Sequence, residues 1–181
     1  MVIGKEGMMS EAGTEDQTAT IHIQVKGQPW GEIRLKFFPD VASNHVQNMV
    51  KLAKNKFYEG TTFHRVIPGF MIQGGDPNTK EPDRSRHGMG GPGYRVKAEF
   101  NHRPHKRGTL SMARSQDPDS AGSQFFICVA DSKFLDGQYT VFGEVVSGME
   151  TVDRIVNAQR DGNDNPLDRI EMSMSVTDAN A

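Results

Sequence analysis

The sequence is divided into many short segments in which apolar and polar residues alternate, and this pattern constrains the fold more than any other feature. Successive side chains of a β-strand point to opposite faces, so alternation predicts strands that bury one face. Such strands are predicted over residues 20–26, 31–37, 61–66, 70–74, 94–98, 108–113, 123–129, 139–146 and 169–176. Because no repeating β-α-β order links them, the sequence predicts a mainly β protein folded as a closed antiparallel barrel.

Two further segments have the period of a helix. Apolar residues of the first recur at helical spacing at Val46, Met49, Val50 and Ala53. Asp40 or Ser43 is predicted to cap this helix, because either side chain can accept a hydrogen bond from a free backbone N–H. The second helix is predicted over residues 148–158, and its apolar side carries Met149, Val152, Ile155 and Val156. Both helices are expected to cap the barrel.

Length and charge narrow the functional classes. A chain of 181 residues is expected to form one domain, with residues 1–18, rich in Gly, Glu and Thr, as a mobile tail. Basic and acidic residues are nearly balanced, 21 against 23, so the net charge favours neither nucleic acid nor an anionic membrane. No apolar run approaches the roughly 20 residues of a membrane span.

The expected location of the protein is the cytoplasm. Cys128 is the only cysteine, so no disulfide can form within the chain, as is usual for proteins of reducing compartments. The first residues also lack the apolar stretch of a secretory signal peptide. Together these features predict a soluble cytoplasmic protein.

The segment FHRVIPGFMIQGGDP, residues 63–77, places two long polar side chains among large apolar ones. Alternation predicts that Phe63 and Arg65 share one face. Beyond a Pro-Gly break, Met71 and Gln73 are predicted to share another. A buried arginine is rare unless it is paired. One interpretation is therefore a half-dry pocket in which Arg65 and Gln73 contact a ligand with hydrogen-bonding groups, and the other is a structural salt bridge at one end of the barrel.

A second segment, SQFFIC, combines the same kinds of side chain. In a strand, Gln124, Phe126 and Cys128 point to one face. Phe125 and Ile127 point to the other, which is purely apolar and is expected to belong to the core. One face therefore offers an amide beside a large aromatic ring.

Both segments, together with FLDG at 134–137 and VFG at 141–143, resemble the cyclophilin family of peptidyl-prolyl cis–trans isomerases. The resemblance runs from about Ile21 to Val176 and rests on two long motifs in the right order and spacing. It implies an eight-stranded antiparallel β-barrel capped by two α-helices, with a proline pocket on the outer surface of a domain over residues 19–178. It also implies an enzyme that accelerates rotation about Xaa-Pro bonds and assists protein folding.

The resemblance assigns roles to the matching positions. The family's catalytic arginine falls on Arg65, and the amide that helps to hold the substrate falls on Gln73. The apolar residues of the proline pocket fall on Phe70, Met71, Phe126 and Leu135, and pocket edges fall on Ala113 and Gln124. His64 belongs to the family's Phe-His-Arg and is interpreted as structural, because rotation about a bond requires no proton donor.

Three positions depart from the best-known eukaryotic members of that family. Phe134 stands in place of a tryptophan, and the loss of an indole N–H donor implies weakened binding of cyclosporin-type macrocycles. Tyr139 stands in place of a histidine at the pocket edge and keeps an aromatic ring there. Residues 114–117 replace a shorter, less charged stretch of the rim. Phe134 and Tyr139 are counted with the residues that bind the implied substrates, which are proline-containing peptides and unfolded polypeptides.

Rival functions stay open on the sequence alone. A non-catalytic module or holdase could capture proline peptides, although a donor aimed at the amide nitrogen suits catalysis better than pure binding. A barrel could also carry a small apolar ligand, unless large side chains fill its interior. The residues expected to fill it are Leu110, Met112, Phe125 and Ile127. Met71, Phe126 and Leu135 could likewise be ordinary core residues.

No cofactor and no metal are expected, because the implied reaction breaks no bond. The basic segment 101–108 contains His102 and His105 but no further ligands at suitable spacing, so a solvated loop is expected there. A monomer without nucleic-acid or membrane partners is predicted.

Overall fold

Eight strands in one antiparallel sheet dominate the structure, a computed structural model that describes residues 17–178. The strands are β1 (Thr18–Val25), β2 (Gln28–Phe37), β3 (Phe63–Ile67), β4 (Met71–Gly74), β5 (Thr109–Met112), β6 (Phe125–Cys128), β7 (Val141–Ser147) and β8 (Ile170–Thr177). Hydrogen-bonded neighbours follow the order β3-β4-β6-β5-β7-β2-β1-β8. The predicted tail, residues 1–18, lies outside the described residues as far as residue 16, and β1 begins at Thr18.

The first and last strands of this order meet, so the sheet forms a nearly closed barrel. The Gly60 N–H donates to the Met172 carbonyl (3.0 Å), and the Met172 N–H donates to the Thr61 carbonyl (2.9 Å). Thr62 and Glu171 form a further bridge at the same seam. Closure of this kind pairs the backbone groups that a sheet edge would leave free. The predicted eight-stranded antiparallel barrel is confirmed.

Large apolar side chains fill the inside of the barrel. The fully buried rings of Phe125 and Tyr58 meet edge to face with their centroids 5.7 Å apart, and Phe63 meets Phe125 in the same way at 6.0 Å. The side chains expected to fill the interior all belong to this core: Leu110, Met112, Phe125 and Ile127. A packed interior excludes the hypothesis of a small ligand carried inside the barrel.

Helix α1 (Pro39–Lys54) begins differently from the prediction. Its N-terminal cap position is Phe38, and Pro39 occupies the first turn, where a missing N–H loses no hydrogen bond. Neither Asp40 nor Ser43 caps the helix, so both predicted caps are wrong.

The side chain that caps the longer part of α1 comes from far along the chain. A kink at Ala42 leaves new backbone N–H groups free at the turn that follows it. The Glu99 carboxylate accepts hydrogen bonds from the N–H groups of Asn44 (3.3 Å) and His45 (2.9 Å). It also lies 2.6 Å from Nδ1 of the buried His45 ring. Glu99 therefore fixes the loop before β5 to the helix.

Helix α2 (Met149–Val156) confirms the second predicted helix. Gly148 at its start has a φ of +98°, and a Cβ there would overlap the Glu32 carbonyl oxygen of β2, so the close approach requires glycine. The Arg107 guanidinium fixes the helix to the loop before β5 by two hydrogen bonds to the Asp153 carboxylate, 2.8 and 2.7 Å long. Within residues 17–178, no helix has both the length and the apolar character to cross a membrane.

The strand predicted over residues 94–98 is wrong. Only Val96 makes a strand-like pair, with Ala121, while the Ala98 N–H donates instead to the Asp119 carboxylate (3.0 Å).

The polar loop predicted over residues 76–93 is present. It is fixed by the buried Asp76 carboxylate, which accepts hydrogen bonds from the Asn78 N–H (2.8 Å) and the Gly88 N–H (2.5 Å).

Candidate active site

A tight turn between β3 and β4 sets two polar side chains opposite each other. The Phe70 N–H donates to the Ile67 carbonyl (3.0 Å), with Pro68 and Gly69 between them. Gly69 has a φ of +78°, as a type II turn requires at its third residue, and proline is common at the second. This turn fixes the register of the hairpin in which Arg65 pairs with Gln73.

An irregularity in β3 directs Arg65 to the outside of the barrel. Phe63 pairs with Gly74 and Arg65 pairs with Gln73, so His64 is an extra residue on this strand. Such a bulge changes the alternation of side chains. Phe63 consequently belongs to the barrel core and Arg65 is exposed, so the prediction that they share a face is wrong.

The Arg65 side chain lies at a pocket on the outer surface of the barrel. The pocket has a volume of about 130 Å³, the share of about four water molecules in the liquid. Its lining residues are Arg65, Phe70, Met71, Gln73, Ala113, Arg114, Phe126, Leu135 and Tyr139. Eight of these nine residues are among the predicted site residues, and Arg114 is the addition.

The apolar floor of the pocket is separate from the barrel core. Met71, Phe126, Cys128 and Leu135 form a second buried cluster, and Phe70, Ala113 and Tyr139 pack against it. The predicted division of β6 is confirmed, because Phe125 and Ile127 lie in the barrel core while Phe126 and Cys128 lie in this second cluster. Burial raises the pKa of the Cys128 thiol to about 12, so this cysteine is an apolar packing group and not a nucleophile at neutral pH.

A chain of hydrogen bonds holds the polar side of the pocket. Arg65 Nη1 donates to Gln73 Oε1 (3.3 Å), and Gln73 Nε2 donates to Gln124 Oε1 (3.0 Å). Gln124 Nε2 in turn donates to the carbonyls of Gly88 (3.0 Å) and Gly90 (2.9 Å). Each amide therefore has a defined orientation, and the arginine is positioned by neutral groups.

The Arg65 charge has no carboxylate partner within residues 17–178. The ion pairs there involve other residues. The alternative of a structural salt bridge is thereby excluded for the described part of the chain. The guanidinium is available to a group that enters the pocket.

A buried histidine supports the pocket floor. The His105 ring stacks on Phe126 with the centroids 6.0 Å apart. Its Nδ1 lies 3.0 Å from Asp136 Oδ1 and its Nε2 lies 2.9 Å from Ser111 Oγ. Burial lowers the pKa of His105, although the contact with Asp136 acts in the opposite direction. The prediction of a solvated loop over 101–108 is therefore wrong at this residue.

Two predicted site residues lie outside the pocket itself. Gln124 contacts it through Gln73 and lines a larger neighbouring cavity. Phe134 is 66% exposed, and its ring centroid lies 5.6 Å from that of Phe70. Conversely, sequence reasoning did not assign His105 or Arg114 to the site. Only the charge of the 114–117 stretch indicated that this part of the rim was unusual.

His64 makes the pH dependence of stability testable. This side chain is 5% exposed, and burial lowers its pKa to about 4, whereas an unfolded histidine titrates near 6.5. As the pH falls, the unfolded chain therefore binds a proton at this histidine before the folded protein does. The stability that the folded state gains from keeping His64 neutral is complete above pH 6.5 and is lost as the pH falls to about 4. We expect His64 to lower the free energy of unfolding by about 3 kcal/mol over that window. Urea denaturation of wild type and His64→Gln at each pH measures the difference, and equal pH dependence in both would contradict it.

Comparison with known proteins identifies the family. A family model described as cyclophilin type peptidyl-prolyl cis-trans isomerase/CLD matches residues 20–176. The chain belongs to this cyclophilin-type isomerase family. A probable peptidyl-prolyl cis-trans isomerase of Brucella abortus is 47% identical over 154 residues, which cover 82% of this chain and 77% of the relative. A peptidyl-prolyl cis-trans isomerase of Synechococcus elongatus is 46% identical over 149 residues, which cover 82% of this chain and 92% of the relative.

A solved structure agrees with these relatives. The Cryptosporidium parvum cyclophilin type peptidyl-prolyl cis-trans isomerase, determined in the presence of the dipeptide Ala-Pro, superposes with a TM-score of 0.76 at 30% sequence identity. The match covers 87% of this chain and 98% of that structure. The predicted family, fold and enzymatic activity, peptidyl-prolyl cis–trans isomerisation, are confirmed.

Proposed function

We propose that Arg65 is the catalytic residue and that it acts on a proline held in the adjoining apolar pocket. The observation that carries this proposal is the juxtaposition of Arg65, which has no carboxylate partner within residues 17–178, and a small pocket with an apolar floor, both on the outer surface of the barrel. A polypeptide can reach this surface without entering the core. The substrates proposed are Xaa-Pro bonds of unfolded chains and of exposed loops, so that the enzyme assists protein folding.

The reaction requires stabilisation of a twisted amide. Rotation about an Xaa-Pro bond breaks amide resonance and has a barrier of about 18–20 kcal/mol, while the cis and trans states differ by only about 0.5–1 kcal/mol. In the twisted transition state the proline nitrogen regains a localised lone pair. A donor directed at that nitrogen stabilises the twisted state more than either planar state, and this difference accelerates the reaction. The Arg65 guanidinium supplies a permanent charge and a rigid set of N–H donors.

One hydrogen bond does not account for the whole acceleration. A thousandfold effect requires about 4 kcal/mol, whereas a charge-assisted hydrogen bond contributes about 1.5–3 kcal/mol. The remainder is assigned to positioning. The proline ring is held by the apolar side chains of the pocket, Phe70, Met71, Phe126 and Leu135. Gln73 positions the adjoining peptide, and Gln124 orients the side-chain amide of Gln73.

We further propose a monomeric enzyme of a reducing compartment, the cytoplasm. Support for the monomer is that one chain supplies every residue of the pocket described above. Support for the compartment is that the only cysteine, Cys128, is a buried packing residue. Cell fractionation tests the location, and recovery of the protein from an oxidising compartment would contradict it.

We also propose weakened binding of cyclosporin-type macrocycles. Phe134 packs on Phe70 at the edge of the pocket but has no N–H to donate. Titration calorimetry with cyclosporin on wild type and Phe134→Trp tests this, with tighter binding expected for the variant. Equal affinities would contradict the proposal.

Exchange spectroscopy on a short Ala-Pro peptide tests the enzymatic function. We expect catalytic amounts of the protein to shorten the time constant of cis–trans exchange of the peptide, which without catalysis is about tens to hundreds of seconds. A pure binding module would shift or broaden the peptide signals without accelerating exchange. That second result would contradict the function.

A further inference from the structure

A second cavity adjoins the proline pocket and has a distinct charge. Its volume is about 550 Å³, and it shares Gln73, Ala113 and Arg114 with the smaller pocket. Its other walls are residues 88–95, Ser115, Ser120 and residues 122–124. The charged side chains in this lining are Arg95 and Arg114, and no carboxylate belongs to it. A peptide whose proline occupies the smaller pocket can therefore place a neighbouring side chain against a cationic wall.

Arg114 is the fixed part of that wall. Its Nε and Nη2 donate to the Gln138 carbonyl (3.1 and 2.7 Å), and its Nη1 donates to the carbonyls of Ser115 (2.9 Å) and Gln116 (3.3 Å). The guanidinium also lies 4.4 Å from the centroid of the Tyr139 ring. An arginine held in this way loses little conformational entropy when it binds a further group.

The partners of Arg114 leave its charge uncompensated. All of its hydrogen bonds are to neutral carbonyls, and no ion pair within residues 17–178 includes it. Arg95 differs, because its guanidinium lies 3.5 Å from the Asp117 carboxylate and is largely exposed. Arg65, on the small pocket, is a second cation without a carboxylate partner in the described part of the chain. The charged residues in the linings of the two cavities are therefore Arg65, Arg95 and Arg114, and neither lining contains a carboxylate.

We propose that Arg114 is a specificity-determining residue that selects polypeptides with a carboxylate side chain within two residues of the proline. The inference rests on the proposed function and names its substrate class. Distance sets the limit of two residues, because an extended chain advances about 3.3–3.6 Å per residue and Arg114 lies on the wall common to both cavities. A carboxylate bound there contacts the Arg114 guanidinium, which neighbouring backbone carbonyls already hold in place.

Exchange spectroscopy on matched peptides tests the selection. In the series, one position beside a single proline carries Glu, Gln or Lys, while the rest of the peptide is constant. For the wild type we expect kcat/KM to be about threefold to fivefold higher for Glu than for Gln, and lower again for Lys, with the ratio reduced by added salt. Arg114→Gln is expected to bring the Glu-to-Gln ratio close to one. Arg114→Lys, which keeps the charge, is expected to restore much of it.

Arg154→Gln is the matched control. Arg154 also lies over an aromatic ring, 4.0 Å from the Trp30 centroid, and donates to a carbonyl (3.4 Å), but it lies on α2 and lines neither cavity. The Glu-to-Gln ratio should stay at its wild-type value in this variant. The control separates a local effect of Arg114 from a general loss of one positive charge.

The outcomes distinguish this inference from the function on which it rests. Equal rates for Glu and Gln peptides with the wild type would overturn the selection and leave the isomerase function intact. A variant Arg114→Gln that slows every peptide in the same proportion would show a purely structural residue and would also overturn it. If Arg114→Gln fails to fold, Arg95→Gln decides between the two arginines of the larger cavity: an unchanged Glu-to-Gln ratio in this variant supports Arg114, and a ratio close to one overturns the selection by Arg114. Absence of acceleration for every peptide would instead contradict the proposed function.

Discussion

Replacing Arg65 with alanine is expected to lower kcat/KM for an Xaa-Pro peptide by more than about tenfold. The lost charge-assisted hydrogen bond contributes about 1.5–3 kcal/mol, and each 1.36 kcal/mol of transition-state stabilisation corresponds to a factor of about ten in rate. The barrel should stay folded, because the exposed Arg65 side chain makes one long hydrogen bond, to Gln73. A protease-free isomerase assay and urea denaturation of the same preparation measure both quantities.

Two variants control the Arg65 experiment. Arg65→Lys keeps the charge but replaces the planar set of donors with a compact, strongly hydrated ammonium, so we expect only partial activity. Arg154→Gln removes a positive charge on α2, away from the pocket, and should retain wild-type activity. Full activity of a folded Arg65→Ala protein would contradict the assigned role.

The neighbouring residues Phe125 and Phe126 are expected to separate stability from activity. Phe125 is fully buried in the barrel core between the rings of Tyr58 and Phe63. Phe125→Ala should therefore lower the free energy of unfolding by about 3–5 kcal/mol, a large part of the 5–15 kcal/mol typical of a domain. Phe126→Ala should lower kcat/KM by more than about tenfold, because it removes the ring that forms the pocket floor.

The comparison between these two variants is the informative measurement. Phe126 has one side open to the pocket, so its truncation leaves less of a closed cavity and should destabilise the fold less than truncation of Phe125. Denaturation midpoints and isomerase rates are compared at a temperature at which both variants are folded. A larger loss of stability for Phe126→Ala, or an unchanged isomerase rate, would contradict the division of β6 into a core face and a substrate face.

Sequence patterns predicted most of the barrel because its strands obey local rules. Alternation located the two faces of β6, and helical spacing located α1 and α2. The predictions that were wrong, the cap of α1 and the strand over residues 94–98, share one cause, which is contact between residues distant in the sequence. Glu99 caps α1 although it lies more than 50 positions from Asn44, and the Asp119 side chain accepts from the Ala98 N–H where a strand partner was predicted. Periodicity within a segment contains no record of such contacts.

The candidate site was predicted unevenly for a similar reason. Its apolar residues could be named because the family motifs place them, yet alternation alone would have put Arg65 on the core face. The bulge at His64 instead directs Arg65 to the outside of the barrel, and the residue types of β3 do not predict this bulge. His105 was assigned to a solvated loop because its partners, Asp136 and Ser111, lie in other segments.

The central claim is that Arg65 stabilises the rotating Xaa-Pro bond and not the bound peptide. A single NMR titration of an Ala-Pro peptide with wild type and with Arg65→Ala yields both the peptide Kd and the cis–trans exchange rate at saturation. We predict that the exchange rate at saturation falls by more than about tenfold while Kd changes by less than about threefold. An unchanged exchange rate at saturation, with Kd raised in proportion to the lost activity, would contradict the claim.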